Sequence, residues 1–142
     1  MKELQIIGRV EKIALPDLHL ANIDAKVDTG AYTSSIHCKI VGESEVEGIK
    51  YVHFIPLTSK NRVRNAQPYC APAIYKKPVK SSNGIEESRY FVKLRLKLGN
   101  RVVRTEFSLT DRSGMKHTVL LGRKFLRKRY LVDVTKRYAT AQ

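Results

Sequence analysis

From Val92 to Leu98 the chain alternates with period two. Val92, Leu94, Leu96 and Leu98 fall on one side, and Lys93, Arg95 and Lys97 on the other. Successive strand side chains point to opposite faces, so this pattern belongs to a half-buried β-strand and not to a helix. Gly99-Asn100 follows as a tight turn, and Arg101 to Thr110 returns with Val103, Phe107 and Leu109 inward. A second turn signal, Asn83-Gly84, precedes the run. Asn-Gly favours the two-residue hairpin, so a strand near Ala73 to Val79 is expected to pair with Glu87 to Leu98.

The rest of the chain repeats this grammar. Leu4 to Leu15 reads as a first strand with a bulge at Gly8, and Pro16-Asp17 marks a turn. Leu20 to Asp28, Tyr32 to Ile40 and Ile49 to Leu57 read as strands. Gly42 to Gly48 is polar and acidic and reads as a turn region. Arg123 to Arg129 is a helix of one to two turns, and Tyr130 to Thr135 closes the chain as a strand. There is no βαβ alternation and no repeat at a period of about 20–50 residues. Many short strands with frequent turn signals predict an all-β closed barrel with one short helix near the C-terminus. A length of 142 residues predicts a single domain over 1–142.

Within that pattern one stretch carries chemistry: Ala25-Lys26-Val27-Asp28-Thr29-Gly30-Ala31. Ala21, Ile23, Ala25 and Val27 form one face of the strand. Asn22, Asp24, Lys26 and Asp28 form the other. The strand ends at Gly30, where the backbone turns without a Cβ penalty. An Asp at a strand end is ordinarily a turn former, and Asp-Thr-Gly alone says no more than that. Later, however, Val119-Leu120-Leu121-Gly122-Arg123 gives a short apolar strand, a glycine and a basic helical run.

The two motifs together resemble the paired signature of retropepsin-like aspartic peptidases. Gly8 to Leu18, Ala25 to Cys38, Thr110 to Arg123 and Leu131 to Tyr138 narrow the resemblance to one bacterial and archaeal family. That family is often labelled an ATP-dependent zinc protease and is linked to ATP-grasp enzymes that add glutamate tails. The resemblance implies a retropepsin-like barrel and an aspartic peptidase. It also implies a functional link to an ATP-grasp glutamate ligase. Tyr32 departs from the family pattern, which has Arg after Asp-Thr-Gly-Ala.

Aspartic proteolysis needs two carboxylates sharing one proton, one activating water and the other protonating the carbonyl or leaving group. The chain has a single Asp-Thr-Gly. The resemblance therefore implies a homodimer with one Asp28 from each subunit across a two-fold axis. Thr29 would grip its mate, and Gly30 would let the backbone approach the carboxylates. In retroviral relatives the Arg after Leu-Leu-Gly pairs with an Asp at the place of Tyr32. Arg123 is thus expected to pair with Asp111 or Asp133, or to bind substrate.

Lys26 leaves the strand on the same face as Asp28, two residues earlier. With Ala31 it is expected to contact substrate, and a lysine there favours a Glu or Asp side chain over an apolar one. Arg89, Arg112 and Arg123 extend the same positive field. The formal charge of +14, from 27 Lys and Arg against 13 Asp and Glu, points to an acidic partner. Glutamate-rich peptide or a poly-glutamate tail fits that charge and the resemblance. A non-catalytic basic β-barrel binding RNA or the ribosome fits the charge alone, although no RNA-recognition signature accompanies it.

The zinc and ATP of the family label find no support in the residues. His19, His37, His53 and His117 make no His-Glu-x-x-His, and Cys38 and Cys70 make no Cys-x-x-Cys. No Gly-x-x-x-x-Gly-Lys-Ser/Thr is present. No metal and no cofactor are expected. Cys38, in an apolar alternation, reads as a small buried residue and not as a nucleophile. No apolar run reaches the roughly 20 residues of a membrane span. Met1 to Arg9 has no signal-peptide pattern, and two cysteines in an otherwise cysteine-poor chain fit a reduced, cytoplasmic setting.

Overall fold

The computed structural model describes residues 3–57, 67–80, 84–110, 114 and 116–140. The fold is all-β. Its strands are β1 (Gln5–Ile7), β2 (Val10–Leu15), β3 (Leu20–Val27), β4 (Ser34–Val46), β5 (Ile49–Pro56) and β6 (Tyr69–Pro72). They continue as β7 (Tyr75–Lys80), β8 (Glu86–Leu98), β9 (Arg101–Thr110), β10 (Val119–Leu121) and β11 (Tyr130–Val132). One helix, α1 (Arg123–Leu126), and one 3-10 turn (Pro16–Leu18) accompany them.

Six strands close a ring of pairing. The order β10-β3-β2-β8-β9-β4 returns to β10, because β10 pairs with β3 and with β4. β5 and β6 extend the sheet beyond β4, and β7 flanks β8. β8, 13 residues long like β4, forms one wall of the ring. Its inward set, Val92, Leu94, Leu96 and Leu98, is fully buried, as the alternation predicts. Ile13, Ile23, Ala25, Phe107, Val119 and Leu121 join the same core, and Phe125 and Leu126 of α1 plug one end. Each such large aliphatic or aromatic side chain contributes about 1.5–3 kcal/mol when fully buried. Asp17 clamps the 3-10 turn to β8, accepting the Arg95 backbone N–H and Nε at 2.8 Å each. Burial alone would raise its pKa; the bonds from Arg95 outweigh that and hold it below the usual value.

Three sequence expectations are corrected at the element boundaries. Leu4 to Leu15 is two strands, not one with a bulge. β1 pairs in parallel with β11, whereas β2 pairs with β3. The break falls at Gly8, where an added Cβ would lie 2.3 Å from the Lys136 carbonyl oxygen. The polar stretch 42–48 is not a turn region. β4 runs through to Val46 and ladders with β5 from Cys38 onward, with a register shift only between Ile40 and Gly42. Glu43, Glu45 and Val46 sit largely outside the core there, so the strand is held by its ladder and not by a buried face. The turn itself is confined to Glu47 and Gly48, at φ 51° and 80°. Finally, the helix ends at Leu126 and the last strand at Val132.

The expected β7–β8 hairpin is present, with Lys80 opposite Glu86. Asn83 of its turn signal lies outside the described residues.

Candidate active site

β3 and β4 flank the Asp28 loop, and β10 lies between them. β10 runs parallel to β3, with Val119 opposite Ala25 and Leu121 opposite Val27. It runs antiparallel to β4, with Val119 opposite Ile36 and Leu120 opposite Ser35. The two sequence motifs are therefore neighbours in space. Asp28 continues the β3–β10 ladder by one bond, donating its backbone N–H to the Leu121 carbonyl at 2.9 Å.

The loop is then fixed atom by atom. Gly30 N–H donates to Asp28 Oδ1 at 2.9 Å, and Ala31 N–H donates to the Asp28 carbonyl at 3.2 Å. A Cβ on Gly30 would crowd Oδ1 at 3.2 Å. Asp28 is half-buried, whereas Thr29 and Gly30 are exposed. The carboxylate is thus oriented by the loop's own backbone and open to whatever approaches the loop.

α1 grips the same loop from behind. Its first N–H groups lack partners inside the helix. Arg123 N–H donates to the Ala31 carbonyl and Lys124 N–H to the Tyr32 carbonyl, each at 2.8 Å. Gly122 N–H donates to Ser34 Oγ at 3.1 Å. Gly122 has φ −100°, so its requirement is space and not backbone freedom. An added Cβ would stand 2.8 Å from the Tyr32 carbonyl oxygen and from the Thr33 carbonyl carbon. Both are backbone atoms that cannot swing aside. Overpacking of this kind costs about 1–3 kcal/mol. Gly122→Ala is expected to lower stability by that amount in chemical denaturation and to displace the Asp28 loop. Unchanged unfolding would show that the loop and α1 are not interlocked.

Arg123 does not make the ion pair expected of it among the described residues. Its Nη1 donates to the Thr29 carbonyl at 3.0 Å, and its guanidinium stands 5.7 Å from the centre of the Tyr32 ring. Asp133 is occupied instead by the Thr135 N–H and hydroxyl, at 2.9 and 2.6 Å. Asp111 lies outside the described residues. Tyr32, the departure from the family pattern, thus has a role beside Arg123: a flat cation covers the face of an aromatic ring.

Lys26 is exposed and lines a hollow of about 370 Å³ with Arg9, Val10, Val27, Lys116, His117 and Arg137. No carboxylate lines it among the described residues. Lys26 makes no hydrogen bond or ion pair among those residues, in contrast to Lys12, whose Nζ meets Asp24 Oδ1 at 2.7 Å. Burial, then Lys116, holds His117 below its ordinary pKa against the pull of Asp24. The hollow's charge at neutral pH therefore comes from its lysines and arginines. No local sequence signal could have gathered residues 9, 26, 116 and 137, which come from separate ends of the chain.

Arg89 belongs elsewhere. Its Nε meets Glu87 at 2.8 Å, and it lines a different hollow with Cys38, Lys39 and Thr110. Arg112 lies outside the described residues. Among the described residues no group of three or more His, Cys, Asp or Glu could hold a metal ion. No helix there is long and apolar enough to cross a membrane.

An Asp-Thr-Gly loop locked between a hydrophobic-Gly strand and a following helix, inside a closed ring of β-strands, defines a retropepsin-like protein. The chain belongs to the RimB-like family of retropepsin-like aspartic endopeptidases, whose profile matches residues 6–142. Two similar proteins are named probable alpha-L-glutamate ligase. That of Shewanella halifaxensis is 34% identical over 137 residues, covering 96% of this chain and 30% of the relative. That of Desulfotalea psychrophila is 33% identical over 129 residues, covering 91% and 28%. The chain thus spans less than a third of these relatives. A solved structure, protein Lpg0085 of Legionella pneumophila, titled as of unknown function, superimposes with a TM-score of 0.78 at 30% identity. The match covers 97% of this chain and 99% of that one.

Proposed function

We propose that the chain is an aspartic-type peptidase that acts as a homodimer on acidic, glutamate-rich peptide or protein. The observation that carries the reading is the Asp28 carboxylate, held by Gly30 N–H at 2.9 Å in a loop whose other side is open. Each chain supplies one Asp-Thr-Gly, and the chemistry needs two carboxyl groups. Two copies meeting at Thr29 and Gly30 would bring them together, an arrangement with two-fold symmetry. One carboxylate would then take a proton from water while the other carboxyl donates to the leaving nitrogen.

Specificity is read from the hollow beside Lys26. An apolar side chain entering it would strip water from ammonium and guanidinium groups that face no carboxylate among the described residues, which is costly. A Glu or Asp side chain would complete them with charge-assisted bonds. The names of the glutamate-ligase relatives support a poly-glutamate tail as the substrate and a ligase as the functional counterpart.

The test compares acidic with apolar peptides in wild type and Lys26→Leu. A charged hydrogen bond is worth about 1.5–3 kcal/mol, or roughly ten- to a hundredfold. Wild type is expected to prefer acidic peptides, and Lys26→Leu to lose that preference by such a factor. A wild-type preference for apolar peptides, or a preference untouched by Lys26→Leu, would sink the assignment.

A further inference from the structure

Another hollow, of about 790 Å³, lies between β9 and the turn that follows α1. Its walls are strongly basic, and its cations divide into two groups. Arg101 and Arg129 are structural: Arg101 donates to the carbonyls of Arg129 and Glu3 at 2.9 and 2.8 Å, and Arg129 donates to the Phe125 carbonyl at 2.8 Å. Lys124 is neutralised by Glu106 at 2.8 Å. Glu106 is the one acid of the walls among the described residues, and it also accepts the Tyr75 hydroxyl at 2.6 Å.

The second group is Lys93, Arg104, Arg127 and Lys128. All four are exposed, and none has a side-chain hydrogen bond or ion pair among the described residues. Two of them sit where folding does not favour a cation. Arg104 stands directly opposite Arg95 in the β8–β9 register; like charges so placed repel, and the Asp17 carboxylate, which attracts both, gives its hydrogen bonds to Arg95. Lys128 has φ 68°, a conformation that favours glycine. Any residue with a Cβ is strained there, and the exposed Lys128 side chain has no hydrogen bond or ion pair among the described residues to offset it.

The trough is also joined to the Asp28 loop. Lys124 and Arg127, both in its wall, stand 5.8 Å from the centre of the Tyr32 ring. Arg123, at 5.7 Å, covers the same ring and holds Thr29. We propose that this trough is an exosite for the distal part of an acidic polypeptide, running from the loop across Tyr32 to Arg104 and Lys128. The inference rests on the peptidase reading for its substrate, but not for its binding. A chain that fills both the Lys26 hollow and the trough gains avidity that a short one does not.

The test uses Asp28→Asn protein, so that nothing is turned over, with a fluorescent short acidic peptide and a long oligoglutamate. The long chain is expected to bind much more tightly, with an affinity that falls steeply with salt. Arg104→Gln combined with Lys128→Gln should weaken the long chain about tenfold or more through two lost charged contacts. The short peptide should bind within about twofold of its former affinity, since it reaches neither residue. Equal loss for both lengths, or for neither, overturns the exosite. Single-stranded RNA binding through the same two residues more tightly than oligoglutamate overturns its assignment to an acidic polypeptide. If the long chain binds as expected but active-site-intact protein hydrolyses no acidic peptide, the exosite stands and the peptidase reading falls. If hydrolysis occurs and ignores Arg104 and Lys128 at every length, the reverse holds.

Discussion

Asp28→Asn is expected to abolish hydrolysis of acidic peptides and to leave the fold in place. Asn keeps the size of Asp and an oxygen that can accept the Gly30 N–H at 2.9 Å, so the loop retains its shape. What is lost is a carboxyl able to carry or release the shared proton. Acid–base catalysis contributes about 10²–10⁴ to a rate, so kcat should fall at least a hundredfold and to background if the pair acts as a unit. The proposed homodimer sharpens the result. A wild-type subunit paired with an Asp28→Asn subunit has one catalytic carboxyl and should also be inactive. Titrating the variant into wild type should then reduce activity more steeply than dilution by inert protein. Full activity in Asp28→Asn would remove the aspartic mechanism. A strictly proportional fall in the mixture would remove the shared site.

The strands that build the site were legible because a half-buried strand writes its burial into alternate residues. Val92 to Leu98 and Ile23 to Val27 needed no tertiary information. Ring closure was not legible in the same way. Val119-Leu120-Leu121 is buried on all sides, and a short apolar run says nothing of its partners. Only the motif resemblance placed it beside Asp28. The stretch 42–48 was misread because its residues are poor strand formers, and a ladder to a neighbour overrides propensity. Arg123 was legible only as a choice between Asp111, Asp133 and substrate. Of these the fold removes Asp133, whose carboxylate is taken by Thr135, and a backbone carbonyl and an aromatic face serve the guanidinium. The basic hollow at Lys26 was half legible. Lys26 itself was found from period two, while Arg9, Lys116 and Arg137 are brought to it by the fold.

Glu11 was not legible at all, and it carries the second large effect. It lies two residues before Ile13 on β2 and is fully buried, which an acid almost never is without compensation. Its compensation is four donors and no cation among the described residues. Gly8 and Ala139 N–H donate to Oε2 at 2.7 and 2.9 Å. Thr140 donates its N–H and hydroxyl to Oε1 at 3.2 and 2.8 Å. The carboxylate therefore ties the C-terminal strap to the start of β2, beside the site where Gly8 packs on Lys136. Arg137 of that strap lines the Lys26 hollow. Glu11→Gln keeps the shape but turns one acceptor oxygen into a donor nitrogen facing donors. Each buried donor left without a partner costs about 1–3 kcal/mol, so a loss of roughly 2–4 kcal/mol is expected from a domain whose total is about 5–15. Chemical denaturation measures it, and limited proteolysis should cut the variant first within 133–140. Tyr138→Phe removes a bond to Asp24 at 3.0 Å and a long one from Arg137 at 3.5 Å. The Asp24 side chain is well exposed and keeps Lys12 at 2.7 Å, so the cost should not exceed the low end for a charged bond, about 1.5 kcal/mol. If Glu11→Gln is no worse than Tyr138→Phe, the strap is held by its backbone bonds to Arg9 and Val10 and not by the buried carboxylate.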